Sequence, residues 1–268
     1  MRKQNLGPAW RTPVIGKSLI RLCLLAGIAT FWSQSAAACR LALVLAMDVS
    51  SSVSAQEDAL QRSGLSAALM APQVQAALFA TDDPVALAVF EWSGRYNQLV
   101  VQDWILIDSL STLAGVANRI ATTPRSHDDF PTALGYALGY AATMLRRAPV
   151  CDFQKIDVSG DGRNNEGFDP SRAYGAFAFD RITVNGLVIN VPEDIDTREA
   201  QDDLVDYYTR EVIRGPSAFV EVADGFEDFA RAMEAKLIRE LGVLMLGQNN
   251  APHQSDVQMI DQNLADGG

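Results

Sequence analysis

The chain has 268 residues, 48% of them hydrophobic and 21% charged, which is the make-up of a globular protein with material for one large core. A formal net charge of −11 argues against nucleic acid and anionic membrane surfaces as main partners.

Residues 1–38 read as a processed signal. Arg2, Lys3, Arg11 and Lys17 make a basic start, Leu19 to Trp32 is mostly apolar though broken by Arg21, and Ser35-Ala36-Ala37-Ala38 supplies the small residues a signal peptidase reads. The apolar stretch is short for a membrane span, so cleavage and export, to the periplasm or beyond, are expected with no span left in the mature chain. This segment holds five basic residues and no acid, and its removal takes the formal charge from −11 to −16. Cys23 leaves with it, so Cys39 and Cys151 remain, and two cysteines in an exported chain invite a disulfide. Each precedes a strand-like run; if those strands are parallel neighbours, the two cysteines start side by side. A lipidated Cys39 is the weaker alternative, because Ala36-Ala37-Ala38 lacks the large aliphatic residue usual three positions before such a cysteine.

The first strand is Leu41 to Met47, a continuous apolar run of the kind buried on both faces of a parallel sheet. It runs into Asp48-x-Ser50-x-Ser52, three hard oxygen donors at the strand edge where open α/β sheets place their ligands. The same residues could simply end the strand and cap the next helix. Ala55 to about Phe79 has helical spacing, with a kink or break at Pro72. Val85–Trp92 and Gln98–Ile107 read as strands joined by the short polar link Ser93–Asn97, so a hairpin and one antiparallel strand are expected. A helix follows to about Ala121, then a polar loop from Thr122 to Pro131 containing His127, Asp128 and Asp129. Pro131 sits at an expected first helical turn. The helix Thr132 to Arg147 carries Gly135 and Gly139 four apart, which predicts close packing against the sheet.

Ile156–Ser159 is the next strand, ending in the acidic turn Gly160-Asp161-Gly162. A helix over 170–181, a strand over 183–191, a helix over 198–213, a short strand over 218–222 and a closing helix from Phe226 to about Leu246 complete the pattern. From Gln248 to Gly268 the sequence has no periodicity and disorder is expected. Alternation throughout predicts one three-layer α/β domain over 39–247 with a mostly parallel sheet.

Asp48, Ser50, Ser52, Thr132 and Asp161 all fall at strand ends or helix starts on one edge of such a sheet. Two carboxylates and three hydroxyls, with no Cys or His, suit Mg²⁺ or Ca²⁺, with Mn²⁺ also possible, and do not suit zinc. In this pattern the chain resembles the von Willebrand factor type A superfamily, whose metal-ion-dependent adhesion site is Asp-x-Ser-x-Ser, a distant Thr and a distant Asp. More narrowly, the cysteine before the first strand, LALVLAMDVSSSV and DVSGDGRNNEG resemble a bacterial family of exported von Willebrand A-like proteins of unknown function (domain of unknown function family 1194).

The resemblance covers about residues 40–247 and implies a doubly wound sheet of six strands in order 3-2-1-4-5-6. That order puts the strands after Cys39 and Cys151 side by side, which supports the disulfide. It also implies that Ser50, Ser52 and Thr132 bind the cation through hydroxyls, that Asp48 and Asp161 bind it directly or through water, and that a partner's Glu or Asp fills the open position. Asp129-Phe130-Pro131 departs from the glycines of many relatives, and Asp128 and Asp129 are either a solvated acidic loop or the rim of a second cation site. Asp157 inside its strand and Asn164 after the turn are candidates for supporting groups. A binding module is expected, ahead of a purely structural cation site or a metal-dependent hydrolase; no nucleophile–histidine pair or Gly-x-Ser-x-Gly elbow is present, so catalysis is not expected.

Overall fold

A computed structural model of the protein describes residues 39–191 and 204–248. The signal segment, the start of the 198–213 helix and the tail beyond Gln248 lie outside the described residues. A six-stranded sheet runs in the order β3-β2-β1-β4-β5-β6. Its strands are β1 (Cys39–Asp48), β2 (Val85–Trp92), β3 (Gln98–Ile107), β4 (Cys151–Gly160), β5 (Ile182–Asn190) and β6 (Val220–Asp224). All neighbours pair parallel except β2 and β3, the expected hairpin, whose link is closed by Ser93 N–H donating to Asn97 O at 3.1 Å.

β1 is buried along its whole length because both faces are covered. Leu41, Leu43, Leu45 and Met47 point into a core shared with helices α1 (Ala55–Leu69), α2 (Pro72–Leu78), α3 (Leu110–Thr122) and α6 (Phe229–Gln248). Ala42, Val44 and Ala46 point the other way, toward α4 (Leu134–Leu145), α5 (Pro170–Ala176) and a π-helical turn over Tyr208–Val212. Period-2 alternation between two cores is what a continuous apolar run means in a doubly wound sheet, and each large side chain so buried contributes about 1.5–3 kcal/mol. Cys39 and Cys151 face each other on the first rung of the β1–β4 pair, with Cα atoms 4.5 Å apart, and form a disulfide.

Several boundaries differ from those read in the sequence. β4 begins five residues early, because Asp152 and Phe153 lie in the ladder yet are exposed and carry no apolar pattern. The break at Pro72 is complete, giving two helices. α4 starts at Leu134 with Ala133 as its cap, so Pro131 and Thr132 belong to the preceding loop. The backbone of Thr132 is held from outside the helix: Asn165 and Glu166 N–H donate to its carbonyl at 3.0 and 3.2 Å. Gly135 and Gly139 do not face the sheet. A Cβ on Gly135 would meet the Phe168 carbonyl, and one on Gly139 would lie 2.7 Å from the Phe177 ring, so these glycines admit the β4–α5 loop and the end of α5. α5 ends at Ala176, short of the expected Arg181.

Candidate functional site

The C-terminal ends of β1 and β4 adjoin at the point where the strand order turns, and the loops leaving them meet there. Ser54, and none of the three earlier serines, caps α1. Its Oγ accepts from Glu57 N–H at 3.3 Å, while the Glu57 carboxylate accepts from Ser54 N–H at 2.7 Å. Ser50 and Ser52 are therefore spared from capping, and their hydroxyls face the site, 3.1 Å from each other.

From there a chain of oxygens crosses three distant segments. Ser52 Oγ donates to Asp161 Oδ1 at 2.8 Å, and Thr132 Oγ1 lies 3.4 Å from Ser50 Oγ. Asp48 is fully buried; its Oδ1 accepts from Ser50 N–H at 2.7 Å, and its Oδ2 has no hydrogen-bond partner among the described residues. Burial first, and the charge of Asp161 second, push the Asp48 carboxyl well above the usual carboxylate range, against the pull of Ser50 and Arg125. All five expected site residues are thus brought to one place. Among the described residues no three Cys, His, Asp or Glu side chains cluster to hold a metal, so any cation here would rely on hydroxyls as well as carboxylates.

The loops are held by further residues, of which Arg125, Gln61 and Arg62 were not singled out in the sequence, while Glu91 and Trp92 stood out only as the end of a strand near this edge, core or rim. Arg125 donates to the carbonyls of Val49 and Ser50, both at 2.9 Å, clamping the turn that carries the serines. Ser51 N–H donates to Phe130 O at 2.8 Å, joining the same turn to the 122–131 loop. Gln61 donates to Asp48 O at 2.8 Å and accepts from Ser159 Oγ at 3.2 Å. Arg62 pairs with Asp58 and with the fully buried Glu91, whose other oxygen accepts from Ser126 N–H at 3.0 Å. Tyr208 and Trp92 are buried beside the site, and a Cβ on Gly160 would lie 2.6 Å from the Tyr208 hydroxyl and 2.9 Å from Asp48 Oδ2. Glycine alone leaves that space open. Apart from the Arg62–Asp58 pair within α1, these groups act through partners far away in sequence, so no local motif marks them.

The remaining expected residues divide. Asn164 Oδ1 accepts from Gly135 N–H at 3.1 Å and Asn165 Oδ1 from Thr132 N–H at 2.8 Å, so this pair docks the acidic turn onto the start of α4. Asp128 and Asp129 are exposed and hydrogen-bond to none of the five residues. His127 packs edge-on against Phe130. Asp157 faces α6, where Lys236 Nζ lies 2.8 Å from it and 2.7 Å from Glu240, all three buried. Burial raises the Asp157 carboxyl to about 7 despite Lys236.

The strand order, the antiparallel edge strand and the helices on both faces define a von Willebrand factor A-like fold. Solved structures share it: a von Willebrand factor type A protein from Catenulispora acidiphila (18% identity, TM-score 0.50, covering 76% of this chain and 43% of that one), and the mussel byssus proximal thread matrix protein 1 with a zinc-occupied MIDAS motif (15%, 0.52, 76% and 46%). The PilB minor pilin of Streptococcus sanguinis does so too (13%, 0.51, 77% and 62%). In each case this chain spans less than two thirds of the other protein. Residues 38–245 match the family described as Protein of unknown function (DUF1194), and the chain belongs to that family. No curated protein matches it.

Proposed function

We propose that the protein is an exported binding module that uses a divalent cation, Mg²⁺ in the first place and Mn²⁺ or Ca²⁺ as alternatives, to engage a carboxylate of a protein partner. The observation that carries this reading is the convergence of Asp48, Ser50, Ser52, Thr132 and Asp161, with a buried carboxylate oxygen of Asp48 left without a partner. An orphaned buried carboxylate oxygen is costly unless something positive comes to it, and an all-oxygen donor set fits a hard cation. Ser50, Ser52 and Thr132 would offer hydroxyls, and Asp48 and Asp161 would balance charge. The cation would supply an electron-poor position that an incoming Glu or Asp can fill.

A protein partner suits the rim. Tyr96 in the β2–β3 link is 87% exposed beside Tyr136, which stacks on Phe168, and exposed aromatics are favoured anchors at interfaces. The pilin neighbour and the byssus matrix protein are consistent with such a role without carrying it over. The disulfide suits an oxidising compartment outside the cytosol. We read the chain as non-catalytic, since the sequence carries no nucleophile–histidine pair or Gly-x-Ser-x-Gly elbow; His127 packs edge-on against Phe130.

Titration calorimetry with Mg²⁺, Mn²⁺, Ca²⁺ and Zn²⁺, wild type beside Asp48→Ala and Asp161→Ala, tests the site. Binding in the wild type that is lost in both variants is expected. A pull-down with and without chelator then tests the bridge, and a partner retained in chelator would sink it.

A further inference from the structure

At the opposite edge of the sheet, where β4 and β5 begin, a cavity of about 320 Å³ opens between these strands and α6. That volume lies in the range of small-molecule sites. Its apolar wall includes Phe153, 43% exposed at the mouth, and Phe219. Its charged wall is unusual for so acidic a chain: Lys155, Arg181 and Arg239 line it against a single acid, Asp180. Neither guanidinium forms an ion pair among the described residues; Arg239 instead sits over the Phe219 ring, its Cζ 3.8 Å from the centroid.

Lys155 is the telling member. It is 8% exposed, and among the described residues one of its three N–H donors is taken, by the Glu240 carbonyl at 2.7 Å. A buried ammonium with spare donors is costly unless an acceptor arrives. Ser217, also in the wall, holds φ at 57°, a left-handed conformation that non-glycine residues adopt at a cost and that gathers at ligand sites.

We infer that this cavity is a second binding site, for a small amphipathic anion: an aromatic or branched apolar body lying between Phe153 and Phe219, with a carboxylate or sulfonate held by Lys155, Arg181 and Arg239. Arginine forks match such planar or tetrahedral anions by paired hydrogen bonds. The site stands apart from the cation site and does not depend on it.

The test is fluorescence titration of the purified protein with 8-anilino-1-naphthalenesulfonate, beside its uncharged relative N-phenyl-1-naphthylamine. Saturation at one equivalent of the sulfonate is expected, with the uncharged probe at least tenfold weaker. Arg181→Gln and Arg239→Gln, both at exposed positions, should each weaken the sulfonate roughly tenfold, as the loss of one charge-assisted hydrogen bond implies, with unchanged melting temperature. Asp48→Ala should leave it unaltered. Equal affinity for both probes, indifference to both arginine substitutions, or no saturable binding would overturn the assignment.

Discussion

Removing the disulfide should cost more than any single side chain in the sheet. Cys39 and Cys151 are 112 positions apart, so the bond closes more than half of the described chain into a ring. In the chain-entropy treatment, a ring of that size raises the free energy of the unfolded state by about 5 kcal/mol. The cysteines already pair directly across β1 and β4, so the folded state needs no rearrangement to hold the bond. For a domain of this length, 1 kcal/mol moves the melting temperature by roughly 2–4 °C, and a fall of roughly 10–20 °C is expected. Thermal unfolding followed by circular dichroism, for wild type with and without reductant and for Cys39→Ser/Cys151→Ser, measures it. The reduced wild type and the double variant should agree, which separates the lost bond from altered packing. A fall under about 3 °C in both would refute the reasoning and mean that the unfolded chain is held compact by other contacts.

Ser54→Ala should lower stability by about 1 kcal/mol in urea unfolding while leaving cation affinity unchanged, whereas Ser52→Ala should do the reverse, with stability within about 0.5 kcal/mol of wild type. Arg62→Met leaves Asp58 and Glu91 buried without their cation and should cost about 3–5 kcal/mol; hydrogen exchange at Ser126 should rise with it, since Glu91 holds that amide. Asp157 sits at about 7 in the folded chain, above its unfolded value, so the native state binds the extra proton. Its contribution to stability is full below pH 4 and is lost as the pH rises from 4 through 7, at no more than about 1.4 kcal/mol per pH unit. Asp157→Asn should flatten that part of the stability profile, and an unchanged slope would show that other groups set it.

Much of the fold was legible because a strand covered on both faces must be apolar throughout: Leu41 to Met47 announced the centre of the sheet, and alternation of elements gave the layers. That the five candidate residues would lie together was legible because each stands at a strand end or loop whose place the topology dictates. What escaped was whatever depends on contacts between distant segments. The start of β4 is exposed, so its pairing left no mark on composition. Thr132 stays out of the helix because Asn165 and Glu166 bind its backbone, and Gly135 and Gly139 answer to Phe168 and Phe177, partners no local pattern names. Arg125, Gln61 and Tyr208 support the site from three other segments, and Lys236 and Glu240 meet Asp157 from the far end of the domain.

The disulfide also divides the site in a topological sense. Asp48, Ser50, Ser52 and Thr132 lie within the covalent ring from Cys39 to Cys151, and Asp161 lies just outside it. The exposed 122–131 loop is part of that ring, so a protease that cuts there opens the circle without freeing either piece. The serines would stay tethered to Thr132 through β1, the sulfur bridge and α4, and the nick would show only after reduction.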